Sequence, residues 1–388
     1  MNPIKIVVKT FFGLEEVLKE ELAELGYPES EVLNRAVQLS GTWDDVYKIN
    51  LFARCALSVL VELHTFQLKE ENDLYKEASK VNWPALFDVR KTFAIKGAVN
   101  STLFKHSQFP FLLVKDAVAD AFRKQTGERP DVNIRTPQIV IDLYIREKEG
   151  VLSVNTSGLP LFHRGYRQTT GDAPLNEVVA AGLIRLSGWD RKSTFFDPFC
   201  GSGTLLLEAA LLATGIPSTI ERTHYAFKNL KNYNSELWET MHANAQKIIK
   251  EMPCTIVGSD IDPQMVMKTR RNLRGFSFGR FISVEVDAFA DAAIPEAPGT
   301  LIINPPYGER LDADVVSLYE EIGSTFKHKL QGYTCWVISS SEAGLKSIGL
   351  RPERKIKLYN GDLECSFRKF SIYDGSKKGA GTAINSEP

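Results

Sequence analysis

The stretch FDPFCGSGTLLLEAA, residues 196–210, decides the fold. An apolar run ends on Asp197 and Pro198, the chain passes Cys200, Gly201, Ser202 and Gly203, and from Thr204 it continues as a mostly apolar helix interrupted by Glu208. Two glycines let the backbone turn tightly and approach a ligand closely. The first amides of the helix then face the end of the strand, where they can hold a polar group. The stretch is no phosphate loop, because G-x-x-x-x-G-K-[ST] is missing, and it departs from G-x-G-x-x-G, because Leu206 stands at the third glycine position.

Outward from this turn, strands and helices alternate. The pattern predicts helix 174–187, strand 193–197, helix 204–214, an inserted amphipathic helix near 234–250, strand 255–260, helix 263–274, strands 281–287 and 300–304, helix 314–329 and strand 334–340. Two last strands fall near 353–359 and 364–373, joined through Asn360-Gly361, a hairpin signal. This predicts an α/β fold, a doubly wound parallel sheet closed by one antiparallel strand. Ligands bind such sheets at the carboxyl ends of the strands.

Three further strand ends carry chemistry. GSDID places Asp260, Ile261 and Asp262 after the second strand; Asp260 suits the two hydroxyls of a ribose, whereas Asp262 suits a helix cap before Pro263. Asp287, beside Ala288, ends the third and can accept a hydrogen bond from an adenine amino group or cap a turn. The fourth runs into LIINPPYGERL, residues 301–311. Pro305 and Pro306 lack amide hydrogens, so the Pro305 carbonyl and the Asn304 side chain converge as two acceptors for a planar amine, and Tyr307 offers a face for stacking. A rigid turn alone would account for the prolines but not for the whole set.

The 388 residues, 43% hydrophobic with a formal net charge of −1, predict two or three globular domains. No apolar run approaches the ~20 residues of a membrane span and no secretory leader is evident, so the expected compartment is the cytoplasm and no membrane partner is expected. Five scattered cysteines without C-x-x-C spacing, and six unpaired histidines, predict neither a disulfide framework nor a metal site. Charge is uneven: residues 1–89 hold nine Lys and Arg against fifteen Asp and Glu, residues 90–170 thirteen against seven. A basic middle segment suits a polyanion, though a solvated face would look the same. Before residue 165 the pattern reads as two small α+β units, the second ending in a hairpin that turns at Glu149-Gly150. Residues 160–174 read as a linker, and the polar, Gly-rich tail as disordered.

Taken in order, DPFCGSGTLLLEAA, GSDIDPQMV and NPPYGERL resemble the class I S-adenosylmethionine-dependent methyltransferases that modify exocyclic or amide nitrogens. With RGYR, HYAFKNLKNYNSELWE and LYNGDLECSFRKF, the chain is similar to the bacterial 23S ribosomal RNA guanine-N2 methyltransferase group. The resemblance implies a ferredoxin-like module at 1–64, a THUMP RNA-binding domain at 65–165, a Rossmann-like methyltransferase domain at 166–374 and a disordered tail at 375–388. It stops before the second methyltransferase domain that fused bacterial members carry. It implies S-adenosylmethionine as cofactor, its methionine part at the 197–204 turn, its ribose at Asp260 and its adenine at Asp287, with a guanine amine oriented by Asn304 and Pro305 and stacked on Tyr307. The implied partner is RNA, 23S ribosomal RNA first and transfer RNA second, docked on Lys91, Lys96, Lys105, Arg123, Lys124, Arg129, Arg135, Arg164 and Arg167. Enzymes methylating adenine N6 or glutamine share the NPPY turn, and a nucleotide-binding RNA module without turnover is the non-enzymatic reading. Methylation at pyrimidine C5 would need a cysteine at the fourth-strand turn, and Cys200 lies in another loop.

Overall fold

A computed structural model describes residues 3–167, 175–248, 251–306 and 313–372. Tyr307, the expected tail and residues 168–174 of the expected linker lie outside the described residues. Contacts divide the chain into two units, Met1–Tyr166 with Ile216–Ile249, and Arg167–Gly215 with Lys250–Pro388.

In the first unit the strands are β1 (Ile4–Lys9), β2 (Glu31–Leu33), β3 (Ala36–Gly41), β4 (Ser58–Gln67), β5 (Phe93–Asn100), β6 (Ile139–Arg146) and β7 (Glu149–Asn155). The helices are α1 (Glu15–Glu24), α2 (Trp43–Phe52), α3 (Asp73–Ala78), α4 (Trp83–Leu86) and α5 (Phe109–Thr126). The strands form one sheet in the order β2-β3-β1-β4-β7-β6-β5. The two expected modules are therefore continuous, fused by the antiparallel pairing of β4 with β7. Buried Glu21 of α1 is satisfied by the amides of Arg54 and Cys55, at 3.0 and 2.8 Å, which pin that helix to the start of β4. Gly127 closes α5 at φ 78°, as its position predicts.

The hairpin corrects one expectation. It turns at Glu147-Lys148, with Glu147 at φ 52°, and Gly150 lies inside β7 opposite Ile145. Gly150 is there for packing: a Cβ would stand 2.1 Å from the Phe66 ring across the sheet. A glycine that serves a cross-strand contact reads in the sequence like one that serves a turn.

The expected insertion is helix α8 (Ser235–Gln246), and the segment that carries it packs with the first unit. Phe227 and Trp238 close over Tyr47 of α2, with ring centroids 4.7 and 6.2 Å from it. Asn234 N donates to the Tyr47 hydroxyl at 3.0 Å, and Thr219 Oγ1 donates to Leu51 O at 2.8 Å.

The second unit holds β8 (Thr194–Asp197), β9 (Ile256–Asp260), β10 (Ile282–Val286), β11 (Gly299–Ile303), β12 (Tyr333–Ser339), β13 (Arg354–Asn360) and β14 (Leu363–Ser371). Its helices are α6 (Glu177–Leu186), α7 (Thr204–Thr214), α9 (Pro263–Leu273), α10 (Ala313–Lys329) and α11 (Glu342–Ser347). The order is β10-β9-β8-β11-β12-β14-β13, parallel except for β14, which runs against both neighbours. The predicted hairpin forms, with Gly361 at φ 63° in the turn. Strand order reverses between β8 and β11, so the ends of these two strands, Asp197 and Asn304, flank the crevice where such sheets bind ligands. No helix among the described residues is long and apolar enough to cross a membrane.

Candidate active site

The glycine turn is braced from behind by residues that local pattern did not single out. Gly201 and Gly203 take φ of 53° and 87°, the left-handed region, and a Cβ on Gly203 would stand 2.7 Å from Thr269 Cγ2. Thr269 Oγ1 donates to Gly201 O at 2.7 Å, and Asn272 Nδ2 donates to Ser202 O at 3.0 Å. Both are buried polar residues on the apolar face of α9, beside Val266 and Leu273. That misplaced polarity is the signal by which a sequence reading finds them. Leu206 also gains a reason: a Cβ on Gly258 of β9 would lie 2.4 Å from its Cδ1, so the glycine that lets helix and sheet approach stands on the strand instead.

At the crevice, Asp197 is fully buried and accepts from Phe199 N at 3.1 Å. Burial, and then the neighbouring charge of Asp260, push its carboxyl well above the usual range, against the opposing pull of that amide. Burial likewise holds the Cys200 thiol well up, so this loop presents no thiolate nucleophile. Half-buried Asp260 is aimed by two amides, Gly201 N on one oxygen and Asp262 N on the other, both at 2.9 Å. It thus ties the turn to β9, and each oxygen retains a lone pair. Asp262 caps α9, accepting from Gln264 N at 2.8 Å, and the amide of half-buried Asp287 donates to Asp260 O at 3.2 Å. Ile261 is 73% exposed at this rim; Pro198 is buried and Ala288 half-buried.

At the end of β11, Asn304 Oδ1 is buried without a hydrogen-bond partner among the described residues. Leaving a buried amide oxygen unpaired costs about 1–3 kcal/mol, so the fold retains an acceptor that a ligand can satisfy. Pro305 beside it is buried and Pro306 exposed.

The expected basic surface is partly corrected. Lys96, Lys105, Arg123, Lys124, Arg129 and Arg135 are exposed, and Lys91 donates to Asn229 Oδ1 at 3.0 Å. Arg164 and Arg167 do not belong to it. Arg164 is 1% exposed and donates to Leu161 O at 3.1 Å and Arg54 O at 2.5 Å. Arg167 pairs with Glu177 at 2.9 Å and donates to Thr204 Oγ1 at 2.9 Å and Leu175 O at 3.2 Å. Both cations are consumed by internal acceptors.

The donor set fits S-adenosylmethionine. A buried carboxyl whose ionisation awaits a cation suits the amino group of the methionine part, a two-oxygen carboxylate at the second strand suits the ribose, and open space on the Cα side of Gly201 leaves room for the chain between them.

Known proteins agree with this reading. A family model described as the RMKL-like methyltransferase domain matches residues 164–369, a THUMP domain model matches 69–155, and a model of the RlmL ferredoxin-like domain matches 5–60. A curated protein of Psychromonas ingrahamii, named ribosomal RNA large subunit methyltransferase K/L, is 35% identical over 94% of this chain and 50% of its own length. The chain spans about half the length of the curated relatives it matches. A solved methyltransferase-type chain complexed with S-adenosylhomocysteine is 26% identical with a TM-score of 0.85, over 97% of this chain and 100% of that one. Another, from Listeria monocytogenes and described as a predicted N6-adenine-specific DNA methylase, is 25% identical with a TM-score of 0.86, over 96% and 97%. With a match across more than half of its length and a class I sheet, the chain belongs to the RMKL-like methyltransferase family.

Proposed function

We propose that this chain methylates the exocyclic N2 of a guanine in 23S ribosomal RNA. The observation that carries the proposal is Asn304 Oδ1, buried without a partner among the described residues at the strand end that borders the crevice. The name of the curated relatives and the THUMP match support RNA, and the large ribosomal subunit in particular, over the DNA named for the Listeria chain. Residues 1–64 are read as the ferredoxin-like module, 65–165 as the THUMP domain and 166–374 as the catalytic domain, with 216–249 packed on the front unit.

When bound, S-adenosylmethionine supplies an electrophilic methyl on a sulfonium. The 197–204 turn, with Pro198, Cys200, Ser202 and Thr204, would hold its methionine part, Asp260 and Asp262 its ribose side, and Ile261, Asp287 and Ala288 its adenine. The lone pair of a guanine N2 is delocalised into the ring, so the chain has to localise and aim it. Asn304 Oδ1 accepts one amine hydrogen and the Pro305 carbonyl the other, which turns the lone pair toward the methyl. As positive charge grows on N2, the same two acceptors stabilise it. Pro306 keeps the turn rigid, and Tyr307, outside the described residues, stacks the base. A base inside a duplex is flipped out first.

The test is methylation of protein-free 23S ribosomal RNA, read by mass spectrometry of the digested nucleosides. N2-methylguanosine is expected. Asn304→Ala should lower the rate on the order of 10²–10³-fold with affinity for S-adenosylhomocysteine nearly intact. Appearance of N6-methyladenosine instead, or wild-type turnover by Asn304→Ala, would overturn the reading.

A further inference from the structure

Within the catalytic unit, residues 263–284 contain five cations, Lys268, Arg270, Arg271, Arg274 and Arg280, and no acid. The structure sorts them. Arg270 is spent internally: its Nε donates to Val284 O at 3.1 Å and its Nη2 pairs with Glu285 at 3.2 Å. Arg271, Arg274 and Arg280 are exposed. Met267, Arg271 and Arg274, spaced i, i+4 and i+7, form one ridge along α9, opposite the face that buries Val266, Thr269 and Leu273. Met267 is 66% exposed. Beyond the helix, Phe281 leads into β10, 52% exposed, with the Arg280 guanidinium 4.7 Å from its ring centroid. Aromatic faces interleaved with cations are what a single-stranded or unpaired nucleic acid uses, bases on the rings and phosphates on the charges. Because β10 is an edge strand of the sheet, no neighbouring strand among the described residues covers this ridge. It begins at Asp262, at the rim of the cofactor crevice, and descends the edge for about 16 Å, the length of an eleven-residue helix.

We propose that the α9 ridge and the Arg280-Phe281 corner form an RNA-contact surface of the catalytic unit, one that grips the phosphate backbone flanking the target nucleotide and stacks an unpaired base on Phe281. This rests on the RNA reading above and is independent of which base is methylated. The occupant is RNA because residues 263–284 offer three guanidiniums without an ion pair among the described residues, an exposed ring and no acid, a surface complementary to a polyanion with accessible bases.

The test uses the full chain and two variants, Arg271→Glu/Arg274→Glu/Arg280→Glu and Phe281→Ala. The probes are protein-free 23S ribosomal RNA for methylation and a fluorescein-labelled RNA hairpin with an unpaired flank for anisotropy across a salt series. Affinity for S-adenosylhomocysteine, by calorimetry, controls for folding. The triple variant should bind the hairpin at least tenfold more weakly, and its slope of log K against log salt should be shallower by about two, three contacts at about 0.7 each. Phe281→Ala should weaken binding about tenfold with the slope unchanged, because stacking releases no counterions. Wild-type slope and affinity in the triple variant, with cofactor affinity intact, would overturn the proposal and leave the ridge a solvated face. Failure of the unmodified chain to bind either RNA would overturn the RNA reading together with it, whereas RNA binding without N2-methylguanosine would overturn only the assigned reaction.

Discussion

A single carboxyl shows how much of this site depends on burial. Asp197 ends β8 in every sequence-level reading, yet its protonation is set by the lack of water around it and by Asp260 nearby. Its native carboxyl keeps its proton at pH values where the unfolded chain, with a pKa of about 3.9, has lost it. The native state therefore binds more protons in that window, and stability falls as pH rises from about 4 toward the raised native value. The group's contribution is complete below the unfolded value and is lost above the native one. Asp197→Asn, which keeps the acceptor for Phe199 N, should flatten that decline in the ligand-free protein. Urea midpoints at a series of pH values measure it, and parallel slopes for the two proteins would refute the assignment.

Among elements, the insertion is held by one cation more than by any helix propensity. Arg222, 6% exposed, donates from Nη1 to Pro160 O and His163 O at 2.8 and 3.0 Å, from Nη2 to Ser157 O and Leu159 O at 3.0 and 2.7 Å, and from Nε to His224 O at 3.0 Å. Burial lowers its pKa to about 10, still far above neutral, so it remains charged and all five carbonyls stay satisfied. Gly165 shares this junction: at φ 95°, a Cβ there would sit 2.5 Å from Glu221 O. Arg222→Ala strips five carbonyls of their donor, that of buried Ser157 among them, and should cost about 1–3 kcal/mol. The expected readout is a lower melting temperature for the full chain; a shift within a degree would show that water replaces the guanidinium without loss.

For the molecule as a whole, the two units are not two consecutive stretches of chain. The first is finished by residues 216–249, which come after part of the second has been laid down. Fragment 1–166 alone therefore leaves Tyr47, Asn50 and Leu51, all buried in the full chain, without the cover that Phe227, Trp238 and Thr219 supply. It should bind a hydrophobic dye and melt over a broad range. Adding a peptide of residues 216–249 in trans should sharpen the melt and release the dye. Cooperative unfolding of 1–166 by itself would show that the insertion is an ornament.

How far the fold was legible follows from the reach of each interaction. The alternation of strands and helices, the glycine turn, the carboxylates at three strand ends, the NPPY stretch and the Asn360-Gly361 hairpin are written within a few residues each, because strand ends, turns and the amines they meet demand particular residue types at short spacing. Those features determined the class I sheet and the family. Other facts depend on partners far apart in the chain: Arg164 on Arg54, 110 residues away; Thr269 on Gly201, 68 away; Gly150 on Phe66; and the insertion on α2. Composition marked Arg164 and Arg167 as surface charge and Gly150 as a turn, because a sequence shows a residue's chemistry but not whether a carbonyl or a ring will stand beside it. Only packing assigned those cations to the interior, left the Asn304 oxygen without a partner among the described residues, and set the α9 arginines at the edge of the sheet.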